Sequence, residues 1–412
     1  MEMQPPDKSS PAFRQKYLGE KGLIALIILL SAFIPLSTDL YLPSLPGMAR
    51  YFNSPAYLVN LTLILFFLFF SAGALLWGPL SDKYGRKPVL LIGLSVYCAA
   101  SIACAVSWGI YPLIIFRVLQ AIGGSSAFGV ATAMIKDVYD IRRRETILAM
   151  VQSMVLISPA VAPVFGAVLL KFMSWRGAFW ALTLIGMLAL SGSIALQETI
   201  EKRHTGSMLQ VLGRLYTVGR NPNFSSLLGL FSLPALSSMA FIASSSYIFI
   251  NSFGLTPQSY SFYFSINAIG LISGPMLYLR VSRKFRRRSI IITCFTVVST
   301  SGLLIFFFGG LQPWILSMVV LPATICGSCL RTPGVNLMLE QQKEDTGSAS
   351  ALINCFGILM GSIGMTVISL DWGSIILALG IMNLIIGMVC GALWLNISRK
   401  SYVVSVPERY IA

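Results

Sequence analysis

Charge is what this sequence has least of. Only 11% of its 412 residues are Asp, Glu, Lys or Arg, against roughly 25% in an ordinary soluble domain, while 56% are hydrophobic. A soluble enzyme and a disordered chain are excluded at once. Histidine is all but missing: the single His204 lies in a polar stretch, so a histidine metal site or proton relay has nothing to be built from. The seven cysteines, at positions 98, 104, 294, 326, 329, 355 and 390, all fall inside apolar runs, which excludes a disulfide-stapled secreted scaffold. Cys326 and Cys329 form a CxxC, but with no second Cys/His pair they read as small packing residues, not as a zinc site. No metal and no cofactor is expected. Acids are scarcer than bases, 15 against 30, leaving a formal charge of +15.

What is present is length of apolar run. A helix crossing the roughly 30 Å hydrocarbon core needs about 20 mostly apolar residues, and twelve such runs occur, at about 21–44, 57–78, 89–108, 112–134, 147–171, 177–196, 224–250, 258–280, 290–309, 313–338, 348–369 and 373–396. They predict an all-α membrane protein of twelve transmembrane helices in two six-helix pseudo-repeats. The expected organisation is a tail over 1–20, one half over 21–196, a polar linker over 197–223, a second half over 224–396 and a tail over 397–412. The first run has a polar lead-in and reads as an uncleaved helix.

If both tails are cytoplasmic, the loops alternate so that only Arg50, Lys171 and Arg176 among the loop and tail cations fall outside. Lys8, Arg14, Lys83, Arg142, Lys202, Arg203, Arg286, Lys343 and Arg409 are among those inside. This bias is the positive-inside pattern, and it accounts for the net charge without nucleic acid as a partner. The two halves also share a weak repeat: Gly78-Pro79-Leu80 and Gly274-Pro275-Met276 occupy corresponding runs, each followed by a basic stretch. A duplicated unit places a binding site near the midplane, between halves that rock.

Four segments carry chemistry. In Gly78-Pro-Leu-Ser-Asp82-Lys-Tyr-Gly85-Arg86-Lys87 the glycines permit a tight turn, Asp82 can face a helix N-terminus or a cation, and Arg86 and Lys87 anchor at the membrane surface. The fourth run holds Arg117 and Gln120 beside Gly123 and Gly124; a cation at membrane depth is costly, so it is either functional or held by backbone carbonyls. The fifth holds Pro159, Ala162, Pro163 and Gly166, small residues and prolines that let helices approach and bend. The first run ends Thr38-Asp39-Leu40-Tyr41-Leu42-Pro43, and Asp39 alone among the acids combines a carboxylate with membrane depth. Desolvation favours its neutral form and a nearby cation such as Arg117 its anion, so it is a candidate proton site; the alternative is an acid at the outer end, facing water.

These segments resemble the major facilitator superfamily. The first matches its loop 2–3 signature, which implies a conformational latch at Gly78, Asp82, Gly85, Arg86 and Lys87. The second is similar to its fourth-helix motif, which implies proton coupling through Arg117 with Gln120 as hydrogen-bonding neighbour. The third is similar to the antiporter motif of drug exporters, with Ala162 where that pattern has Gly. Together with Ser174-Trp175-Arg176, Asn267-Ala-Ile-Gly270 and Gly347-Ser-Ala-Ser-Ala351, the Asp39 block resembles the Bcr/CflA-type drug:proton antiporters, the bicyclomycin and phenicol resistance group, over about residues 22–396. The resemblance implies a monomeric carrier of the bacterial inner membrane whose partners are a small molecule, protons and the bilayer. It implies export of small amphipathic drugs or toxic metabolites, with Asp39 carrying the proton. Tyr41, Phe66, Phe67, Met239 and Asn267 are candidate substrate contacts. Arg331 departs from the branch pattern; it either snorkels to the membrane edge or faces the cavity and attracts an anion, which would suit a proton-coupled symporter or exporter of a specific metabolite such as a siderophore.

Overall fold

The computed structural model describes residues 15–200, 208–342 and 345–406. Lys8, Arg14, Lys202, Arg203, His204, Lys343 and Arg409 lie outside the described residues, and so do the outer parts of both expected tails. Every long apolar run forms a helix. The first span is a bent pair, Gly19–Ser31 and Phe33–Tyr51, with 44° between its parts. Pro35 explains the bend: it lacks the N–H that would bond the Ser31 carbonyl, and its ring presses on that carbonyl. The other spans are Ala56–Tyr84, Arg86–Ala105, Ile110–Val138, Arg143–Phe172, Arg176–Ala195, Pro222–Ser252, Pro257–Val281, Arg287–Phe308, Pro313–Glu340, Thr346–Ile368 and Ile375–Ile397. Counting the bent pair once, twelve spans stand where twelve were expected.

Two local differences matter. The first span does not stop at residue 44 but continues through a short 3-10 turn, Leu42–Ser44, into the helix Leu45–Tyr51, because Pro43 and Pro46 each fall in the opening turn of an element, where no N–H is required. The polar linker is not all loop: Met208–Gly219 is a helix, with Val218 buried against the C-terminal half.

The packing is twofold in pattern. In the N-terminal half the second span packs on the fourth and the third on the fourth and sixth; in the C-terminal half the eighth packs on the tenth and the ninth on the tenth and twelfth. The halves meet fifth span to eighth and second to eleventh, contacts that exchange when the halves are exchanged, as in an inverted or tandem repeat carrier. Glycine sets the closest crossings: a Cβ at Gly123 would stand 2.6 Å from the Tyr97 backbone nitrogen. Outward faces carry exposed Ile92, Leu188, Phe307 and Ile385, a surface suited to lipid and not to water.

Four hydrogen bonds join the halves at the end away from Gly85. Asn60 Nδ2 donates to Ser369 Oγ at 2.8 Å. Along the seam of the fifth and eighth spans, Gln258 Nε2 donates to the Ala167 carbonyl at 2.7 Å, Ser261 Oγ to that of Pro163 at 2.8 Å and Ser265 Oγ to that of Ala160 at 2.6 Å. The two halves are thus clamped at one end. Removing both hydroxyls, Ser261→Ala with Ser265→Ala, forfeits about 1 kcal/mol per bond, which is expected to shift the balance toward opening at that end by roughly 30-fold. Labelling of Asn60→Cys by an impermeant maleimide, above the native-cysteine background, measures it.

Candidate functional site

Arg117 is the most enclosed charge among the described residues. It is wholly buried, and its fork is spread over three acceptors: Nη1 donates to Gln120 Oε1 at 2.6 Å and to the Ser37 carbonyl at 3.1 Å, and Nε to the Thr62 carbonyl at 3.3 Å. Phe66 and Tyr41 stack on the guanidinium at 4.1 and 4.5 Å, an arrangement worth about 2 kcal/mol where water is excluded. Gln120 passes the network on, donating from Nε2 to Ser101 Oγ at 2.7 Å, and Ser37 Oγ shares a 2.7 Å hydrogen bond with Tyr97. One nitrogen, Nη2, has no partner.

Asp39 sits two residues past Ser37, at the end of the helical segment Phe33–Asp39, and is 5% exposed. Its carboxylate accepts from Thr38 Oγ1 at 3.1 Å. Arg117, the cation named as a possible neighbour of Asp39, makes no ion pair with it: the guanidinium is taken up by carbonyls and Gln120, so its link to Asp39 runs through the backbone of one short helix. The opposite half packs on the turn that follows, where the seventh and eighth spans meet Leu42–Ser44. From the fifth span Gly166 presses on the same segment, where a Cβ would collide with the Leu40 carbonyl oxygen. A lone acid therefore lies buried beside the seam of the halves.

The residues expected to form a latch gather around Arg86, which is itself buried. Its guanidinium contacts Asp82 at 2.6 Å and Asp137 at 2.8 Å and donates to Ser81 Oγ at 2.6 Å. Glu198 caps the start of the third span, accepting from the backbone N–H groups of Arg86 and Lys87 at 2.9 and 3.2 Å; Lys87 Nζ reaches the Ile194 carbonyl at 2.7 Å. Gly85 has φ +107°, and a Cβ there would meet the Glu198 carboxylate. Gly78 has open space around it. All these partners belong to the N-terminal half except Glu198, which opens the linker. Asp137 was not singled out by the sequence, and no local signal could have found it, because 51 residues separate it from Arg86.

The candidate substrate contacts scatter. Tyr41 and Phe66 wall the Arg117 chamber and are fully buried, and Phe67 is buried in the same half. Met239 fills the space beside Gly361 of the eleventh span. Asn267 lines a cavity of about 70 Å³ inside the C-terminal half, with Ser237, Phe241, Phe264, Thr324 and Asn383. Arg331 is exposed on the tenth span, about 13 Å of helix short of its end at Glu340. Pro159 and Pro163 lie inside the fifth span, Ala162 is buried, and the carbonyls around them accept the seam hydrogen bonds. Among the described residues no cluster of three or more metal-ligating side chains occurs.

The sequence profile of the Major Facilitator Superfamily matches residues 27–365. The chain is 29% identical to an uncharacterized MFS-type transporter of Bacillus subtilis, over 83% of this chain and 87% of that one. It is 28% identical to a chloramphenicol resistance protein of Pseudomonas aeruginosa, over 93% of both, and 23% identical to a bicyclomycin resistance protein homolog of Haemophilus influenzae, over 81% and 86%. Among solved structures, a peptide transporter superposes with a TM-score of 0.73 at 13% identity, covering 92% of this chain and 95% of that one, a likeness of fold alone.

Proposed function

The chain belongs to the Major Facilitator Superfamily, a transporter and not an enzyme, and we propose that it exports small amphipathic compounds in exchange for protons. The observation that carries this reading is the lone carboxylate of Asp39, buried in the first span three residues before the turn on which the opposite half packs. A buried acid with one hydroxyl partner is costly as an anion, and a carrier can use that cost: the proton is held in one orientation of the halves and given up in the other. The likeness to two resistance proteins supports drug-like cargo, and the clamp opposite the latch supports alternating access.

In this mechanism the carrier reorients either with a proton on Asp39 or with cargo aboard. Protons enter from outside, cargo leaves, and Asp39 deprotonates when the cavity faces the cytoplasm. One proton moving down roughly 100 mV supplies about 2.3 kcal/mol, and one pH unit adds about 1.36 kcal/mol. The total, about 3.7 kcal/mol, sustains a gradient of a neutral compound near 500-fold, so one carboxylate suffices. Arg117 and Gln120 act as positioning residues that hold the Asp39 segment, and the Arg86 cluster braces the second and third spans while the halves move. In this reading both tails lie in the cytoplasm of a bacterial inner membrane, an orientation the positive-inside bias supports.

Substrate-induced proton movement in reconstituted vesicles tests it, with phenicols, bicyclomycin and lipophilic cations as cargo. Proton release on adding cargo to the cytoplasmic face is expected. Proton uptake together with the cargo would replace antiport by symport, and no proton movement with any transported compound would end the reading.

A further inference from the structure

The two basic turns that follow the second and eighth spans are built differently. In the N-terminal half Arg86 is held by Asp82 and Asp137, and Lys87 Nζ by the Ile194 carbonyl, so the cations of that turn are largely engaged within the protein. Between the eighth and ninth spans six cations fall within nine residues, Arg280, Arg283, Lys284, Arg286, Arg287 and Arg288, and the stretch contains no acid. Arg287 turns inward, donating from Nη2 to the Val403 and Val406 carbonyls at 3.1 Å. The other five are exposed, and among the described residues their side chains make no ion pair. The turn therefore presents a concentrated positive charge with nothing of its own chain to balance it.

Its position points to lipid. On the eighth span Phe262, Ile269, Met276 and Leu277 are exposed, and their spacing of seven or eight residues puts them on one helix face. Phe262 adjoins Ser261, which is hydrogen-bonded across the clamped seam, so no path between the halves opens there and the exposed face is one that hydrocarbon covers. Arg280 follows Leu277 by three residues on that face, about 5 Å further along the axis. The chain then turns, the N–H groups of Lys284 and Phe285 both bonding the Val281 carbonyl at 3.0 Å, and Phe285 stands 58% exposed amid the cations. An exposed ring among cations at the end of a lipid-facing stripe matches an interfacial anchor, with the ring at the acyl boundary and the charges at headgroup level. The general excess of cations at this end of the bundle explains their sign, but not their concentration on one lipid-facing edge. We propose that residues 280–288 form a binding site for an anionic phospholipid, with the headgroup phosphate among Arg280, Arg283, Lys284 and Arg286 and the acyl chains along Met276, Leu277 and Phe285. Clusters of this size beside a span attract anionic lipid, and the apolar stripe favours a lipid over a soluble acidic partner. The site belongs to the C-terminal half alone and depends on neither the cargo nor the proton.

Native mass spectrometry of the purified full-length chain tests it, in detergent containing equal amounts of dioleoyl phosphatidylglycerol and dioleoyl phosphatidylcholine. A single surface cation strengthens attraction to an anionic leaflet by about fivefold, so the wild type is expected to retain phosphatidylglycerol over phosphatidylcholine by about fivefold or more. Combining Arg280→Gln, Arg283→Gln, Lys284→Gln and Arg286→Gln should bring the ratio close to parity without lowering the thermal midpoint, because these side chains hold nothing in the fold. Combining Arg280→Lys, Arg283→Lys and Arg286→Lys should keep most of the preference. Neutralising the same number of exposed cations at that end of the other half, Lys16→Gln, Lys21→Gln, Lys83→Gln and Lys136→Gln, should leave the ratio unchanged. Equal retention of the two lipids by the wild type overturns the proposal without need of any variant. An equal fall in the second glutamine set also overturns it, since the preference would then belong to the whole basic face. Displacement of the phosphatidylglycerol by excess glycerol 3-phosphate does the same, by assigning the cations to a soluble phosphate.

Discussion

Asp39→Asn is expected to abolish uphill transport while leaving the carrier folded and able to equilibrate its cargo. In vesicles with an imposed pH difference, the wild type should build a cargo gradient that grows about tenfold per pH unit for one exchanged proton. The variant should be flat, with cargo equal on both sides. Asparagine keeps the shape and the acceptor for Thr38 but cannot take a proton, so the effect isolates titration from packing. Stability separates the two further: an acid buried with only one hydroxyl partner is a poor contributor to folding, and the thermal midpoint of Asp39→Asn should not fall below that of the wild type. Asp39→Glu retains the proton but adds a methylene beside the Gly166 contact, so it should couple at reduced rate. Tenfold growth per pH unit in Asp39→Asn would place the coupling group elsewhere.

The spans were legible because each is an apolar run punctuated by charge, and a bilayer leaves the backbone no alternative to a helix. Their ends were not. Ala56–Tyr84, Ile110–Val138 and Pro313–Glu340 all run past the residues where hydropathy fades, since charged residues at the membrane edge are good helix formers. The prolines after Asp39 read as the end of the first span, yet the chain turns through Leu42–Ser44 and continues to Tyr51.

The same division runs through the site. Asp82 and Arg86 lie four residues apart and were readable as a pair, but Asp137 and Glu198 reach Arg86 from 51 and 112 residues away, and only the packing of the third, fourth and sixth spans assembles them. Asp39 and Arg117 were readable singly as costly charges at depth; that they would not pair depends on Gln120, two carbonyls and two rings arriving first at the guanidinium. Aromatic residues misled for a simpler reason. Tyr41 and Phe66 face a cation, and no pattern in sequence tells a ring that lines a cavity from one that roofs a buried charge.

Arg117→Met is expected to lose coupled transport as completely as Asp39→Asn but, unlike it, to destabilise the fold. The substitution preserves volume and apolar contact with Tyr41 and Phe66, so what it removes is three hydrogen bonds and the cation. Gln120 Oε1 and the carbonyls of Ser37 and Thr62 would be left in a chamber that water does not reach, at a cost of roughly 3 kcal/mol, and the thermal midpoint of the purified protein should drop by several degrees. The segment Phe33–Asp39 would lose its tether on the fourth span, and with it the placement of Asp39 against the seam. Arg117→Lys tests whether charge alone is enough: a single ammonium cannot span acceptors on the first, second and fourth spans at once, so it should recover less than half of the lost stability and little of the coupling. A positioning role predicts that midpoint and coupling fall together across Met, Lys and wild type. Full stability in Arg117→Met with coupling gone would instead mark the guanidinium as a direct participant in proton transfer, acting through its unpartnered Nη2.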